Sequence, residues 1–283
     1  MIDRRVLLAG GGVALGLGWW QARGIAAEAL GFGPSPDFGL VGALNQGGWA
    51  RGLVPPGTAA LNLSGKPVMI ARDGRFFIAF DRDSPPTLQL TARPSNGCTV
   101  WRNITVSPRA CQLERIALGP KPGTPPSEDF ARRRNGELAL INGARSVDHL
   151  VDGWRQRFIW PVYGRLSGRF GSQRIYNGTP GSYHSGLDIA TGASGTPFVA
   201  PADGVVALAA QGPLSLEGRL LMLDHGMGLN SAFLYCASHA VKEATRSARA
   251  SSSPGLAKPA APPARTYTGR SNGAIFGWIH CFS

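Results

Sequence analysis

The chain has 283 residues, of which 43% are hydrophobic and 16% charged, and its formal net charge is +12. This composition excludes a disordered chain, and the length suffices for one large domain or two small ones. Glycine (39) and proline (22) together exceed a fifth of the residues, which favours short strands and many turns over helical bundles. The positive charge suits nucleic acid, an anionic cell wall or a membrane surface and does not choose among them.

The first 29 residues have the layout of an export signal. Arg4 and Arg5 precede an apolar stretch over 6–20, and the small residues at 27–29 offer a cleavage site. Paired arginines before a weakly hydrophobic core indicate the twin-arginine route. An uncleaved anchor is the alternative, although about 15 apolar residues are short for a bilayer span. Either way we expect the rest of the chain in the periplasm or cell envelope, with membrane contact only through an uncleaved signal.

Residues 38–117 are predicted to form a small accessory domain. Apolar positions alternate with polar ones, and a Ser-Gly-Lys-Pro turn at 64–67 and Asp73-Gly74 separate the alternating runs. These patterns are typical of short antiparallel strands in a β-sandwich. Nothing in this stretch indicates catalysis, so we interpret it as a packing or wall-facing domain.

The four cysteines argue against a thiolate zinc site, because none of them forms a Cys-x-x-Cys pair. Cys98 and Cys111 flank a strand-like segment at 99–106. A disulfide between them would persist in an oxidising compartment, and we expect that bridge. Two separate thiols are the alternative, since the sequence does not settle the geometry.

A linking helix is predicted over 124–153. Ser127 can cap its N-terminus, and acidic residues follow in the first turn. Phe130, Leu138 and Ile141 begin an interrupted apolar stripe, and the helix should end near Asp152-Gly153.

His184 and Asp188 are the strongest candidates for chemistry. Imidazole nitrogen and carboxylate oxygen are both good Zn²⁺ ligands. On a fully extended strand their Cα atoms would lie about 13 Å apart, but Gly186 allows the chain to bend between them. A His hydrogen-bonded to a nearby Asp for structural reasons is the usual alternative for such a pair.

The surroundings of this pair resemble the lysostaphin/LytM-like zinc metalloendopeptidases of peptidoglycan. The resemblance covers 158–243 and is carried by a succession of motifs: Trp-Pro-Val (160–162), Ser-Gly-Arg-Phe-Gly (167–171), His184, Asp188, the run 195–205 and Asp-His-Gly-Met-Gly-Leu (224–229). It implies that His184 and Asp188 bind zinc. It also implies a third ligand from a later His-x-His, and a zinc-bound water that attacks a peptide carbonyl in the wall.

The sequence departs from the family pattern at two places. Tyr235 stands where the family has a catalytic His, and tyrosine can donate a hydrogen bond but cannot accept a proton near neutral pH. We expect His239 to face outward and His225 to be structural. The larger departure is the tail, 244–283, which has low complexity and contains no His-x-His.

A shift in reading frame accounts for the tail. Each codon from Leu256 to Gly269 can be re-read from the last base of the preceding codon and its own first two bases. With permitted third bases this gives VGKTGRATGPHLHW, in which Thr266 and Thr268 overlie two histidines. The loss of one base near Glu243 would suffice, and the tail as written should be disordered.

The predicted fold is therefore mainly β: an antiparallel sandwich, a linking helix, and a lysostaphin-like antiparallel sheet without its final strands. The predicted function is a peptidoglycan-directed zinc metalloendopeptidase, inactive as written because the His-x-His is absent. A non-catalytic relative that binds wall peptides or regulates hydrolases is the alternative. A nucleic-acid binder rests on charge alone, and no stacking or groove-reading motif supports it.

Overall fold

The computed structural model describes residues 37–95, 97–117, 127–193, 195–249, 267–269 and 274–278. The predicted export signal at 1–29 lies outside these residues. Strands predominate over helix, which confirms the mainly β class. Within the described ranges, the helices are too short or too polar to cross a membrane.

The N-terminal region is a sandwich of two antiparallel sheets. Its strands are β1 (Val41–Ala43), β2 (Trp49–Leu53), β3 (Thr58–Leu63), β4 (Lys66–Val68), β5 (Arg75–Ala79), β6 (Thr87–Pro94) and β7 (Val100–Thr105). One sheet has the order β1-β2-β5 and the other β4-β3-β6-β7. Both sheets contribute to one apolar core, which includes Phe76 from the first and Leu61, Leu90 and Ile104 from the second. The alternation seen in the sequence thus marks the inner face of each strand.

The linking helix, α1, runs over Glu128–Ser146, and the Ser127 hydroxyl caps it by accepting from the Phe130 N–H at 3.2 Å. It ends seven residues before the predicted Gly153. Beyond Ser146 the polar groups are taken by other partners: the Asp148 carboxylate accepts the N–H of Leu150 and of Met227. Turn and tertiary contacts therefore replace the next helical turns.

Ion pairs and apolar packing hold α1 on the second region. Both terminal nitrogens of Arg134 donate to Glu217, at 2.6 and 2.7 Å. Glu137 accepts from the N–H and the hydroxyl of Ser215. Ile141 packs with Leu208 and other residues of the sheet below. The helix is thus fixed to the loop at 211–220.

The second region consists of short strands, which pair antiparallel except for β8 with β10. They are β8 (Leu113–Ile116), β9 (Arg165–Gly168), β10 (Gln173–Tyr176), β11 (Thr179–Tyr183), β12 (Gly186–Ala190), β13 (Thr196–Phe198), β14 (Gly204–Ala209), β15 (Leu221–Asp224), β16 (Asn230–Phe233), β17 (Cys236–Ser238), β18 (Arg246–Ser247), β19 (Tyr267–Gly269) and β20 (Ala274–Trp278). The main sheet has the order β18-β14-β15-β16-β20-β12-β9. A smaller sheet, β13-β19-β17, lies beside it. The core between them includes Phe198, Leu221 and Phe233.

Parts of the tail contribute strands to both of these sheets. Most of it, 250–266, 270–273 and 279–283, lies outside the described residues. Its described parts form β18, β19 and β20, and β20 pairs with both β16 and β12. Ladder hydrogen bonds come from the main chain, so a tail of unrelated side chains can still supply them.

The strand β8 links the two regions. It falls within 38–117, yet it pairs in parallel with β10 of the second region and makes no part of the sandwich sheets. Arg174 of β10 forms an ion pair with Glu114 of β8 at 2.9 Å. The accessory region is therefore joined to the second region through a shared sheet.

The expected disulfide between Cys98 and Cys111 is wrong, because both thiols are free in the structure. The six-residue strand β7 separates them, and the Cα atoms at its two ends lie about 17 Å apart at about 3.3 Å per residue. Cys98 is exposed, whereas Cys111 packs against Gly171 of the second region. A disulfide needs Cα atoms within about 7 Å of each other.

We predict that Cys98 is the most readily alkylated of Cys98, Cys111 and Cys236. Cys236 is buried, and burial raises the pKa of its thiol to about 12, so little reactive thiolate forms. Brief iodoacetamide treatment at neutral pH followed by peptide mass spectrometry should find Cys98 modified and Cys236 intact. Denatured protein, in which all thiols react, is the control. A Cys98–Cys111 linked peptide in an unreduced digest would contradict the structure.

Candidate functional site

The backbone of His184 is held by a neighbouring turn. The Gly171 N–H donates to the His184 carbonyl at 2.8 Å, and the His184 N–H donates to the Ser172 carbonyl at 2.7 Å. Gly171 has a φ of +84°, a conformation that favours glycine. The turn at 169–172 therefore fixes the position of the His184 backbone, from which the imidazole extends.

Asp188 lies on β12, opposite Gly168 of β9. The structure brings its carboxylate to the imidazole of His184, with 3.2 Å between Nε2 and Oδ1. A side chain at position 168 would not fit, because a Cβ there would lie 2.2 Å from Asp188 Oδ2. Gly168 thus leaves the space that the carboxylate occupies.

The two facing atoms fit a metal better than they fit each other. Their separation is short, yet they form no hydrogen bond, and both are buried without another partner among the described residues. A buried polar atom without a partner is unfavourable, so such pairs call for a ligand. Two ligands about 2.1 Å from a tetrahedral zinc ion would lie about 3.4 Å apart, close to the observed distance.

The ligand set is incomplete in the part of the chain that the structure describes. No group of three His, Cys, Asp or Glu side chains converges there. A hydrolytic zinc site needs three protein ligands and one open position. His184 and Asp188 can hold the ion only as two of those three, and His280 lies outside the described residues.

Tyr235 has its own partners, away from this pair. Its hydroxyl donates to the Leu216 carbonyl at 2.5 Å, and its N–H donates to the Glu217 carbonyl at 2.9 Å. Its side chain is half exposed, and its φ of +55° is unusual for a bulky residue. These two hydrogen bonds attach Tyr235 to the loop between β14 and β15.

The sequence profile of peptidase family M23 matches residues 182–249, which include His184, Asp188 and Tyr235. These residues are therefore similar to the M23 peptidases, and the second region, which contains them, is called the M23 domain below. The resemblance to the lysostaphin/LytM-like enzymes, drawn from the motifs, is thereby confirmed.

Solved structures add the fold. A Pseudomonas aeruginosa protein assigned to peptidase M23 is similar with a TM-score of 0.54 and 22% identity, over 83% of this chain and 88% of that one. A zinc-containing peptidase from Vibrio cholerae matches with a TM-score of 0.33 and 16% identity, over 76% and 80% of the two chains. The first similarity shows a common fold. No curated protein matches this chain.

His225 is structural, as its place in the Asp-His-Gly turn indicated. It is fully buried in the M23 domain, where Nδ1 bonds to the Asp203 carbonyl at 2.7 Å and Nε2 to the Ser231 hydroxyl at 2.8 Å. Phe158 packs edge-on against its ring. Both nitrogens therefore have partners, and neither is free to bind a metal.

His239 does not face outward as expected. It is half-buried, and its Nε2 bonds to the Ala210 carbonyl at 3.0 Å. The strand β17 leads it back against the end of β14, a tertiary contact that spacing along the sequence does not reveal.

A cleft of about 670 Å³ lies between the sandwich and the M23 domain. Phe80 and Leu88 line it on one side, and Tyr183, Ser185 and Met227 on the other. His184 is not among its lining residues, although both of its neighbours are. The cleft therefore lies next to the segment that carries His184, but neither His184 nor Asp188 lines it.

We predict that Gly168→Ala weakens zinc binding at least about tenfold, since the new methyl must displace the Asp188 carboxylate. Competition with a chromophoric chelator measures the affinity. Gly212→Ala is the matched control, because a Cβ at that position meets open space. Equal affinities of the two variants would show that the carboxylate position does not matter for binding.

Burial of His225 predicts acid sensitivity. Desolvation lowers the pKa of His225 below its usual 6.5, so the unfolded chain takes up a proton that the native state refuses. The free energy of unfolding should fall as the pH drops below about 6.5, by up to about 1.4 kcal/mol per pH unit, until the lowered native pKa is reached. Urea unfolding at several pH values measures this slope. His225→Gln should reduce it, and an unchanged slope would contradict the prediction.

Proposed function

We propose that this chain has the design of a peptidoglycan-directed zinc metalloendopeptidase and is exported to the periplasm or cell envelope. The observation that carries the proposal is the pair His184 and Asp188: two buried, unpartnered ligand atoms that face each other within the M23 match. The peptides of the wall are the proposed partner, and no nucleic acid is involved.

The residues of the chain would hold and orient the ion. When bound, zinc would act as a Lewis acid towards the carbonyl of the peptide bond that is cleaved. His184 would hold the ion through Nε2, and Asp188 through Oδ1. The backbone bonds from Gly171 and to Ser172 keep the imidazole in place. The Tyr235 hydroxyl donates its single proton to the Leu216 carbonyl.

We further propose that the chain as written binds zinc weakly and hydrolyses no peptidoglycan. His184 and Asp188 are two candidate ligands, and the described residues supply no third. The reading-frame argument puts the missing histidines at Thr266 and Thr268, and the backbone of the latter lies in β19 beside β13 and β17. A strand is therefore present at the proposed position of the lost ligand.

A non-catalytic role is the second candidate. The incomplete ligand set favours it, because a protein that only binds wall peptides or regulates a hydrolase does not need a complete metal site. Such a protein would keep the fold and the accessory sandwich, and it would bind peptidoglycan without releasing fragments.

Three full-length proteins test the proposal. The first is the chain as written. The second is a repaired chain, in which restoring the reading frame of the tail includes the changes Thr266→His, Tyr267→Leu and Thr268→His, and the third is the repaired chain with Tyr235→His. We expect tight zinc binding at a stoichiometry of one only after repair, and the fastest release of dye from labelled peptidoglycan with Tyr235→His added. His184→Ala in the repaired chain is the control and should abolish both.

Full activity of the unrepaired chain would show that the site is elsewhere. Co-sedimentation with insoluble peptidoglycan separates the two candidates further. If the unrepaired chain binds the wall and the repaired chain still releases nothing, the non-catalytic role is favoured.

A further inference from the structure

One side chain of the accessory sandwich reaches the segment that carries His184. Arg82 follows β5, and its Nε donates to the Gly171 carbonyl at 3.1 Å, while its Nη2 donates to Gln173 Oε1 at 2.9 Å. Its side chain is only 12% exposed. The guanidinium also lies 5.2 Å from the ring centre of Tyr183, the residue before His184.

The residue that Arg82 contacts is the one that holds His184. Gly171 receives Arg82 at its carbonyl and donates its own N–H to the His184 carbonyl. Only one residue therefore stands between the guanidinium and the backbone of the metal ligand.

Two further contacts fix both sides of this arrangement. Gln173, the second acceptor of Arg82, donates its side-chain N–H to the Gly181 carbonyl at 2.6 Å, which ties β10 to the strand leading to His184. On the sandwich side, Asp83 accepts from Arg82 Nη1 at 2.6 Å and so orients the guanidinium. The tyrosine hydroxyl of Tyr183 is directed at Asp81, at 3.4 Å.

We propose that Arg82 is a positioning residue for the metal ligand His184, so that the accessory domain helps to build the zinc site. This inference rests on the proposed function, because it takes His184 as a ligand. The planar guanidinium presents several donors in a fixed geometry, so it can hold Gly171 and Gln173 at once. Contacts behind a ligand set its orientation before the metal arrives.

The geometry requires arginine specifically. The ammonium of lysine is a single point charge on a flexible stem, and it cannot reproduce the paired contact to Gly171 and Gln173 together with stacking on Tyr183. Arg82→Lys keeps the positive charge and most of the volume. It should therefore behave like Arg82→Ala with respect to the ligand, although it retains more of the domain contact.

Arg51 offers a matched control. It is also an arginine of the sandwich that reaches across to the rest of the chain, where its two terminal nitrogens donate to the carbonyls of Arg155 and Gln156. Those residues belong to the linker between α1 and β9 and not to the 171–173 segment. Arg51→Ala therefore weakens the attachment of the sandwich without touching the support of His184.

The experiment compares full-length wild type, Arg82→Ala, Arg82→Lys and Arg51→Ala. Hydrogen exchange of peptides covering 169–185 reports on the ligand segment without any metal. Competition with a chromophoric chelator gives the affinity for Zn²⁺ alone, and thermal unfolding shows the general loss of stability. We expect faster exchange at 169–185 and about tenfold weaker zinc binding in both Arg82 variants, and neither change in Arg51→Ala.

Exchange and affinity equal to wild type in Arg82→Ala would overturn the inference, as would equal effects of Arg82→Ala and Arg51→Ala. If wild type and His184→Ala bind zinc equally poorly, the proposed function of the pair fails. The exchange comparison then still decides whether Arg82 holds this segment.

Discussion

A buried carboxylate fixes the path of the chain between the helix and the M23 domain. Asp224 is almost fully buried and accepts hydrogen bonds from the N–H and the Nδ1 of His149 and from the N–H of Gly226. A buried carboxyl group is strongly unfavourable unless its oxygens have hydrogen-bond partners in this way. The linker must therefore cross the end of β15, which stops α1 at Ser146 and leads the chain towards β9. The register of β9 then places Gly168 opposite Asp188.

The candidate ligand pair and the sheet depend on different parts of the polymer: on side chains in the first case and on the main chain in the second. The place of β20 between β16 and β12 is defined by main-chain hydrogen bonds, which most sequences can make. A zinc ligand, in contrast, depends on one side chain at one position. A change of reading frame can therefore leave a β-sheet recognisable while it removes the chemistry from its last strands. For this reason we propose that the chain keeps the sheet but lacks the third zinc ligand.

Local patterns predicted much of this structure. Ser127 was recognisable as a cap from its neighbours, the sandwich from its alternating residues, and the approach of His184 to Asp188 from their spacing and a glycine between them. Non-local contacts were not predictable. The early end of α1 depends on residues 75 positions or more away, and the parallel pairing of β8 with β10 joins segments that no periodicity connects. The predicted disulfide was wrong because the extended strand β7 lies between Cys98 and Cys111 and keeps the two thiols apart.

The pairing of β8 with β10 has a consequence for the boundaries of the M23 domain. In the hairpin of β10 and β11, β8 covers the side of β10 that β11 leaves open. A fragment that begins at Phe158 would lack this strand and would present a bare row of backbone donors and acceptors, a template for association between molecules. A fragment intended to keep the backbone pairing of β10 should therefore include Leu113–Ile116, which precede the family match.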